Sequence, residues 1–300
     1  MTAPAQFPAS APYGGYQQQQ PSFASQVPVE RTTLAHALRS EWTKIRTVRS
    51  TVWTLGVMLL LVIGINLLVI IPISNSHDTT IPVLAPGVFG LLLGQLAIIT
   101  LGVLVITSEY GTGMIRTTFT ACPQRSRVLT AKAIVFFLLS FVITTVACTM
   151  TALISWSAMD GQSLSGGDEV HPGVVVKDGV TAASGTEWLG ATVGVGLYVA
   201  LLGLLALAVG ALLRHSAGAI TGMMGAVLLP LLVALFLPSS LESTREKLVK
   251  YSCPNALASL YHFPMIGEGD QNGVPQLLLL AGVTAVVLGV AYAVLNSRDV

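Results

Sequence analysis

Six long stretches of the chain are almost wholly apolar. A helix that crosses the hydrocarbon core of a bilayer needs about 20 mainly apolar residues. Each stretch is a continuous apolar run and lacks the polar–apolar alternation of a membrane β-strand. The pattern therefore predicts an all-α fold, a polytopic membrane protein with six transmembrane helices. The predicted spans are residues 52–73, 83–107, 129–155, 188–213, 218–237 and 276–295.

The segment before the first span has helical periodicity. Its apolar residues recur at steps of four, four, three and three, which places them on one helix face. Thr32 or Thr33 is suited to cap the helix, and Trp42 and Trp53 are suited to the headgroup level. We expect an amphipathic helix on the inner membrane surface. The alternative is an ordinary basic flank that only orients the first span. The apolar stripe is Leu34, Leu38, Trp42, Ile45 and Val48, and the basic residues off it are Arg39, Lys44, Arg46 and Arg49.

The segment between the second and third spans, residues 108–127, is long for a helix–helix connection. Its apolar spacing predicts a short helix that begins after Gly113 and stops at Pro123. Because a charge inside the bilayer is costly, Glu109 is expected at the interface or paired with Arg116 or another basic group. An interfacial turn without a task is the alternative. Residues expected to share the helix face are Met114, Ile115, Thr118 and Phe119.

Two other connections have contrasting compositions. Residues 156–187 are rich in Gly, Ser and Asp, which favours a flexible loop. Residues 239–263 predict a short amphipathic helix broken at Pro254, followed by a second apolar turn. That second turn either re-enters the outer leaflet or lies in a surface loop.

Composition supports the membrane assignment. Of the 300 residues, 53% are hydrophobic and 10% are charged, and the mean hydropathy is +0.74. Residues 1–30 differ from the rest because they are rich in Pro, Gln, Ser, Ala and Gly. Such a segment cannot bury enough apolar surface to fold. We therefore expect a disordered cytoplasmic tail at 1–30, followed by a six-helix transmembrane domain at 31–300.

The distribution of charge predicts the orientation. Eleven of the fifteen Lys and Arg residues fall in the segments on one side of the predicted spans. Basic residues favour the cytoplasmic side, so both termini are predicted to be cytoplasmic in the cell membrane. The eleven are Arg31, Arg39, Lys44, Arg46, Arg49, Arg116, Arg125, Arg127, Lys132, Arg214 and Arg298, with Lys132 counted among the loop residues.

Catalytic and metal-binding patterns are not recognisable in the sequence. No Gly-x-x-x-x-Gly-Lys-Ser/Thr phosphate loop occurs, so the chain is not expected to hydrolyse ATP or to act as an enzyme. Its five His residues have no ligand-like spacing, and no metal, cofactor or nucleic acid is expected.

Small and polar residues inside the spans suggest helix contacts. Pairs of small residues four apart let helix backbones approach closely in lipid. Asn66 and Gln95 are polar residues well inside predicted spans. They either form hydrogen bonds between helices or line a substrate route. The small pairs are Gly90 and Gly94, Gly190 and Gly194, Ala206 and Gly210, Gly218 and Gly222, and Ala285 and Gly289.

Three segments resemble a known family. Residues 38–55 (LRSEWTKIRTVRSTVWTL), residues 106–133 (ITSEYGTGMIRTTFTACPQRSRVLTAKA) and the terminal SRDV at 297–300 are similar to type-2 ATP-binding-cassette (ABC) exporter permeases, particularly those of actinobacteria. The resemblance implies an amphipathic elbow helix in the first segment and a cytoplasmic coupling helix in the second. The residues that match are Glu41, Trp42, Lys44 and Arg49 in the elbow motif, and Ser108, Glu109, Tyr110, Gly113 and Arg116 in the coupling motif.

The expected function follows from this resemblance. The chain would be the permease subunit of an exporter for an apolar or amphipathic substrate, with an ABC ATPase subunit and a second permease copy as partners in the lipid bilayer. A secondary transporter is an alternative, although such carriers usually hold ionisable residues in the middle of a span, where this chain has none. A membrane anchor or sensor partner that does not transport is the other alternative.

Overall fold

The computed structural model describes residues 33–75, 78–121, 124–164, 171, 173–264 and 272–297. One compact unit begins at Thr33 and extends to the end of the chain. The predicted tail at 1–30 lies outside the described residues. So do Pro123, expected to stop the short helix, and the last three residues of the SRDV motif.

Within the described ranges, six helices are long and apolar enough to cross a membrane, as the sequence predicts. They are α2 (Arg49–Asn75), α3 (Gly87–Gly111), α5 (Arg125–Met159), a fourth span over Gly185–Leu213, α8 (Ser216–Phe236) and α11 (Val274–Ser297). In the fourth span, α6 (Gly185–Leu189) continues through a π-helical turn (Gly190–Gly194) into α7 (Val195–Leu213). Shorter helices are α1 (Leu34–Thr47), α4 (Met114–Ala121), α9 (Glu242–Lys250) and α10 (Cys253–Leu260), and a 3₁₀ turn at Ser239–Leu241 precedes α9.

Close backbone approaches hold α3 at the centre of the bundle. A Cβ atom at Gly102 would collide with the Gly203 carbonyl of α7, and one at Gly90 would collide with the Val62 carbonyl of α2. Glycine at these positions therefore lets helices pack at backbone distance. By contrast, Cβ atoms at Gly222 and Gly289 would meet no described atom within 4 Å. Of the predicted small pairs, Gly222 of α8 and Gly289 of α11 are thus unpacked within the described chain, whereas a Cβ atom at Gly218 would meet His215 Nδ1 at 3.4 Å.

Cross-helix contacts define the two ends of the bundle. At one end, called the α1 end, Lys132 of α5 contacts Glu41 of α1. Thr130 and Tyr292 share a 2.7 Å hydrogen bond there, so α11 finishes where α5 begins. At the other end, called the α10 end, Gly190 packs against the Leu260 carbonyl. The first described helix and the end of the last one therefore lie on the same side of the bundle.

A small sheet lies in the connections of the α10 end. Its strands are β1 (Asp78–Thr79), β2 (Ser163–Leu164), β3 (Val175–Lys177) and β4 (Val180–Ala182), in the order β1-β2-β4-β3. The β1–β2 pair is parallel and the others are antiparallel.

The expectation of a flexible loop over residues 156–187 is wrong for its described part, because α5 continues to Met159 and strands follow. The missed signal is the pair Asp178 and Gly179, which joins β3 to β4 with φ of 54° and 81°. Positive φ at both central residues of a two-residue turn is typical of a tight hairpin.

Two short helices close the α10 end, and the helix break predicted at Pro254 lies just before it, at Tyr251 and Ser252. Ser252 caps α10 by accepting a hydrogen bond from the Asn255 amide at 3.3 Å, and Pro254 occupies its first turn. Residues 254–260 are all buried, in contact with α3, α7, α8 and α11. The apolar turn expected after Pro254 is thus an interior helix, and its position relative to a bilayer stays a prediction.

Candidate functional site

The first helix begins at a cap that the sequence predicts. The Thr33 hydroxyl accepts a hydrogen bond from the His36 amide at 3.4 Å, and the Thr33 amide donates to His36 Nδ1 at 3.5 Å. This reciprocal arrangement satisfies donors that a helix start otherwise leaves unpaired. Thr33 is therefore the capping residue among the two candidates.

One face of α1 packs on the bundle and the opposite face is open. Glu41 and Ile45 are buried, whereas Leu34, Trp42 and Val48 of the predicted apolar stripe are exposed. The Arg46 guanidinium lies 6.0 Å from the centre of the Trp42 ring. Within the predicted apolar stripe, Ile45 thus faces the bundle, whereas Leu34, Trp42 and Val48 lie on the open side, as expected of a helix that contacts both protein and lipid.

Four charged side chains meet between α1, α3 and α5 and form the charge cluster. Lys44 Nζ lies 2.7 Å from Glu41 Oε1 and 3.0 Å from Glu109 Oε1. Lys132 Nζ lies 2.7 Å from Glu41 Oε2 and 2.9 Å from Glu109 Oε1. Each ammonium contacts both carboxylates. The charge cluster therefore joins two residues of α1 to Glu109 of α3 and Lys132 of α5.

The charge cluster is largely removed from solvent. Glu41, Glu109 and Lys132 are 4%, 5% and 2% exposed, while the Lys44 side chain is 28% exposed. An isolated charge so deeply buried would be very unfavourable, but two carboxylates and two ammonium groups neutralise one another. The stability of each buried charge in the cluster therefore depends on its partners of opposite sign.

The pKa values of the two α1 members reflect this pairing. Burial acts to raise the pKa of the Glu41 carboxyl, but the charges and hydrogen bonds of Lys132 and Lys44 outweigh burial and lower it. Burial likewise acts to lower the pKa of Lys44, and Glu41 and Glu109 together raise it. Both side chains are held in their charged forms at neutral pH.

One expectation about these charges is confirmed and another needs correction. Glu109 pairs with basic groups, Lys44 and Lys132, whereas Arg116, the partner named in the prediction, is exposed on α4. Lys132, counted with the loop residues in the charge distribution, lies within α5, which begins at Arg125. Seven residues into this helix, Lys132 lies about 10 Å from its start. Lys132 is buried in the bundle and belongs to the charge cluster, a role that the sequence does not predict.

The helix α4 leaves the end of α3 through a tight turn. Gly113 has φ of 73°, a left-handed conformation that favours glycine. Ile115 anchors α4 because it is 5% exposed, while Met114, Arg116 and Thr117 are exposed. The predicted short helix is confirmed, with an exposed surface at the α1 end. The Phe119 side chain lies outside the described residues.

The other predicted coupling and elbow residues surround this site. Tyr110 is half-buried, and the Arg214 guanidinium lies 5.2 Å from the centre of its ring. Ser108 is exposed, and its carbonyl accepts hydrogen bonds from the Thr112 amide at 3.0 Å and hydroxyl at 2.8 Å. Arg49 is exposed at the first residue of α2. The structure therefore brings Glu41, Lys44 and Glu109 together and leaves Trp42, Arg49 and Arg116 on the surface.

A pocket of about 310 Å³ adjoins the charge cluster. Residues of α1, α2, α3, α4 and α5 contribute to its walls. Apolar side chains form one part of the lining, and the charge cluster with nearby hydroxyl groups forms the other. The lining residues are Glu41, Lys44, Ile45, Val48, Ser50, Thr51, Leu101, Leu104, Val105, Ser108, Glu109, Thr112, Met114 and Lys132.

The two polar residues inside predicted spans are both buried, but they make different contacts. Asn66 of α2 is fully buried, and its Oδ1 accepts a hydrogen bond from the Ser155 hydroxyl of α5 at 3.2 Å. Gln95 is 1% exposed, and its Nε2 donates to the Leu92 carbonyl of its own helix at 3.3 Å. Asn66 thus joins two helices. A role for either residue in a substrate route stays a prediction.

The described residues contain no group of three or more His, Cys, Asp and Glu side chains that could hold a metal ion. Among protein-family models and curated proteins, none matches this chain. Its function must therefore be argued from the charge cluster, the pocket and the exposed face of α4.

Proposed function

We propose that this chain is the permease subunit of an ABC transporter that exports an apolar or amphipathic substrate. In this proposal a separate ATPase subunit hydrolyses ATP, and two copies of the chain form the transmembrane pathway. The α1 end faces the cytoplasm of the cell, so that α4 is within reach of a soluble ATPase. The likeness of residues 38–55 and 106–133 to type-2 exporter permeases motivates the assignment.

The observation that carries the proposal is the connection between α4 and the charge cluster. Glu109 precedes the first residue of α4 by five positions, and its carboxylate contacts both Lys44 of α1 and Lys132 of α5. A displacement of α4 would therefore act on the end of α3 and, through paired buried charges, on two further helices. Such a network lets a small movement at a docking surface reach several spans.

The exposed face of α4 supplies the docking contacts in this mechanism. Arg116 would form charge-assisted hydrogen bonds with acidic or carbonyl groups of the ATPase. Met114 would add an adaptable apolar contact, since it is 47% exposed. Closure of the two ATPase subunits around ATP would then move both α4 helices and tilt the permease halves from inward-facing to outward-facing.

The proposal is tested by purification of the tagged full-length protein from its native membranes with the proteins bound to it. We expect a polypeptide with a phosphate-loop sequence and ATPase activity to accompany the wild-type chain. Arg116→Glu should lower its recovery about tenfold or more, because a charge-assisted contact becomes a repulsion.

The matched control is Lys247→Glu, a charge reversal at an exposed residue of α9. This variant should retain the ATPase at the wild-type level, because α9 lies at the α10 end. Equal recovery with both variants, or absence of an ATPase from the wild-type preparation, would contradict the proposal.

A further inference from the structure

The pocket beside the charge cluster changes in polarity along one face of α3. The α3 residues that line it recur with helical spacing and therefore form a single stripe. From Leu101 to Thr112, this stripe rises about 16 Å along the helix axis. The stripe begins with apolar side chains inside the span and becomes polar toward the end of the helix. In order, these residues are Leu101, Leu104, Val105, Ser108 and Glu109, and the stripe ends at Thr112, which directly follows the helix.

The polar part of the pocket lies where the helices end. Ser50 and Thr51 belong to the first turn of α2, and Thr112 follows the last residue of α3. Phospholipids in a bilayer place their headgroups near the ends of transmembrane helices and their chains alongside the apolar parts. The pocket is therefore polar where a lipid headgroup would lie and apolar where the lipid chains would lie.

Glu109, which lines this polar part, has one carboxylate oxygen without a hydrogen-bond donor. Its Oε1 accepts hydrogen bonds from both Lys44 and Lys132. Its Oε2 is buried, and no hydrogen-bond donor among the described residues reaches it. Because a buried carboxylate oxygen without a donor is unfavourable, the site is suited to a ligand that supplies one.

Lys44 provides a donor beside this acceptor. Its ammonium carries three N–H groups, and it donates hydrogen bonds to Glu41 and Glu109. With 28% of its side chain exposed, Lys44 is the most accessible member of the charge cluster. A ligand that satisfies both groups must combine an N–H donor with an anionic acceptor. An aminoethyl phosphate headgroup has these two features.

We infer that the pocket binds a bilayer phospholipid with a primary-amine headgroup, of the phosphatidylethanolamine class. Its ammonium donates to Glu109 Oε2, its phosphate accepts from Lys44, and its acyl chain follows the apolar stripe of Leu101, Leu104 and Val105. The pocket volume of about 310 Å³ is at the lower end for small-molecule sites, so it holds the headgroup and the first part of a chain. This inference is independent of the proposed ATPase partner.

The first test uses the wild-type, full-length protein in nanodiscs. The discs contain equal amounts of phosphatidylcholine and one lipid from the series phosphatidylethanolamine, its N-methyl form and its N,N-dimethyl form. Lipid retained by the protein after transfer to detergent is measured by native mass spectrometry. We expect about tenfold preference over phosphatidylcholine, the ratio that one charge-assisted hydrogen bond supports.

The methylated lipids distinguish hydrogen bonding from headgroup size. The dimethyl form keeps one N–H group and should still be retained, whereas phosphatidylcholine has none. Equal retention of all four lipids would overturn the inference. Preferential retention of an added anionic lipid, phosphatidylglycerol, over phosphatidylethanolamine would overturn it as well.

A substitution in the pocket wall locates the bound lipid without altering a charged residue. Leu104→Trp fills the apolar part of the pocket and should abolish the preference for phosphatidylethanolamine. Leu68→Trp, the matched control, makes the same change at a position on α2 that is 72% exposed and outside the pocket. It should keep the wild-type preference. Retention of the preference by Leu104→Trp, or its loss in both variants, would contradict the assignment.

Discussion

At the scale of single residues, Lys132 has the most restricted environment in the charge cluster. It is 2% exposed and contacts Glu41 at 2.7 Å and Glu109 at 2.9 Å. The positive charge of Lys132 therefore stabilises both buried carboxylates, and Lys44 supplies the second positive charge. Removal of one partner from a buried ion pair leaves an uncompensated charge, which is far more costly than replacement of the whole pair.

The variant Lys132→Ala tests this dependence. We expect a loss of about 3–5 kcal/mol in the free energy of unfolding, the range for a buried ion pair that loses one partner. Unfolding of the purified protein in mixed micelles by a denaturing detergent measures the change. Lys250→Ala is the matched control at an exposed lysine and should be within about 0.5 kcal/mol of wild type. Equal stability of the two variants would show that the charge cluster does not hold the helices together.

At the scale of helices and strands, the sequence predicts those helices that have a long apolar run or a clear helical periodicity. The apolar runs locate all six long helices, and the spacing of Met114 and Ile115 locates α4. The Asp178–Gly179 hairpin was missed because the surrounding Gly-rich composition favoured a loop. The charge distribution counts Lys132 with the connecting segment although the predicted third span begins at 129, so its burial is not predicted. The site it joins depends on contacts between residues 91 positions apart, which a single sequence does not reveal.

The turn between α3 and α4 gives a test at this scale. Gly113→Ala should destabilise the turn by about 1–2 kcal/mol, because a residue with a Cβ atom is strained at φ of 73°. Gly111→Ala is the matched control, since its Cβ would meet no atom within 4 Å and its φ is not positive. Protease sensitivity of the 108–121 segment measures the effect. A faster cleavage rate is expected for Gly113→Ala alone, and equal rates in both variants would contradict it.

At the scale of the whole molecule, the bundle has two chemically different ends. The α1 end carries α1, α4 and the charge cluster, and the α10 end carries the small sheet with α9 and α10. The structure places the first described helix and the end of α11 on the same side. Under the proposed orientation, this side is the cytoplasmic one.

Labelling of single cysteines in intact cells tests that orientation. In a variant whose three native cysteines are replaced, a cysteine at exposed position 160 or at position 245 should react with a membrane-impermeant maleimide. A cysteine at position 116 should react only after the cells are opened. The reverse pattern would place α4 outside the cell and contradict the proposed ATPase partnership.

The measurement that tests the central claim most directly is site-specific photo-crosslinking from α4. A photoreactive amino acid at Thr117, an exposed residue of α4, is compared with one at Ser243, an exposed residue of α9. After irradiation of native membranes, the adducts are identified by mass spectrometry. The proposal predicts that Thr117 crosslinks to a polypeptide with a phosphate-loop sequence and that Ser243 does not. Adducts of Thr117 with lipid alone, or with proteins that lack such a sequence, would contradict the role of α4 as the ATPase docking site.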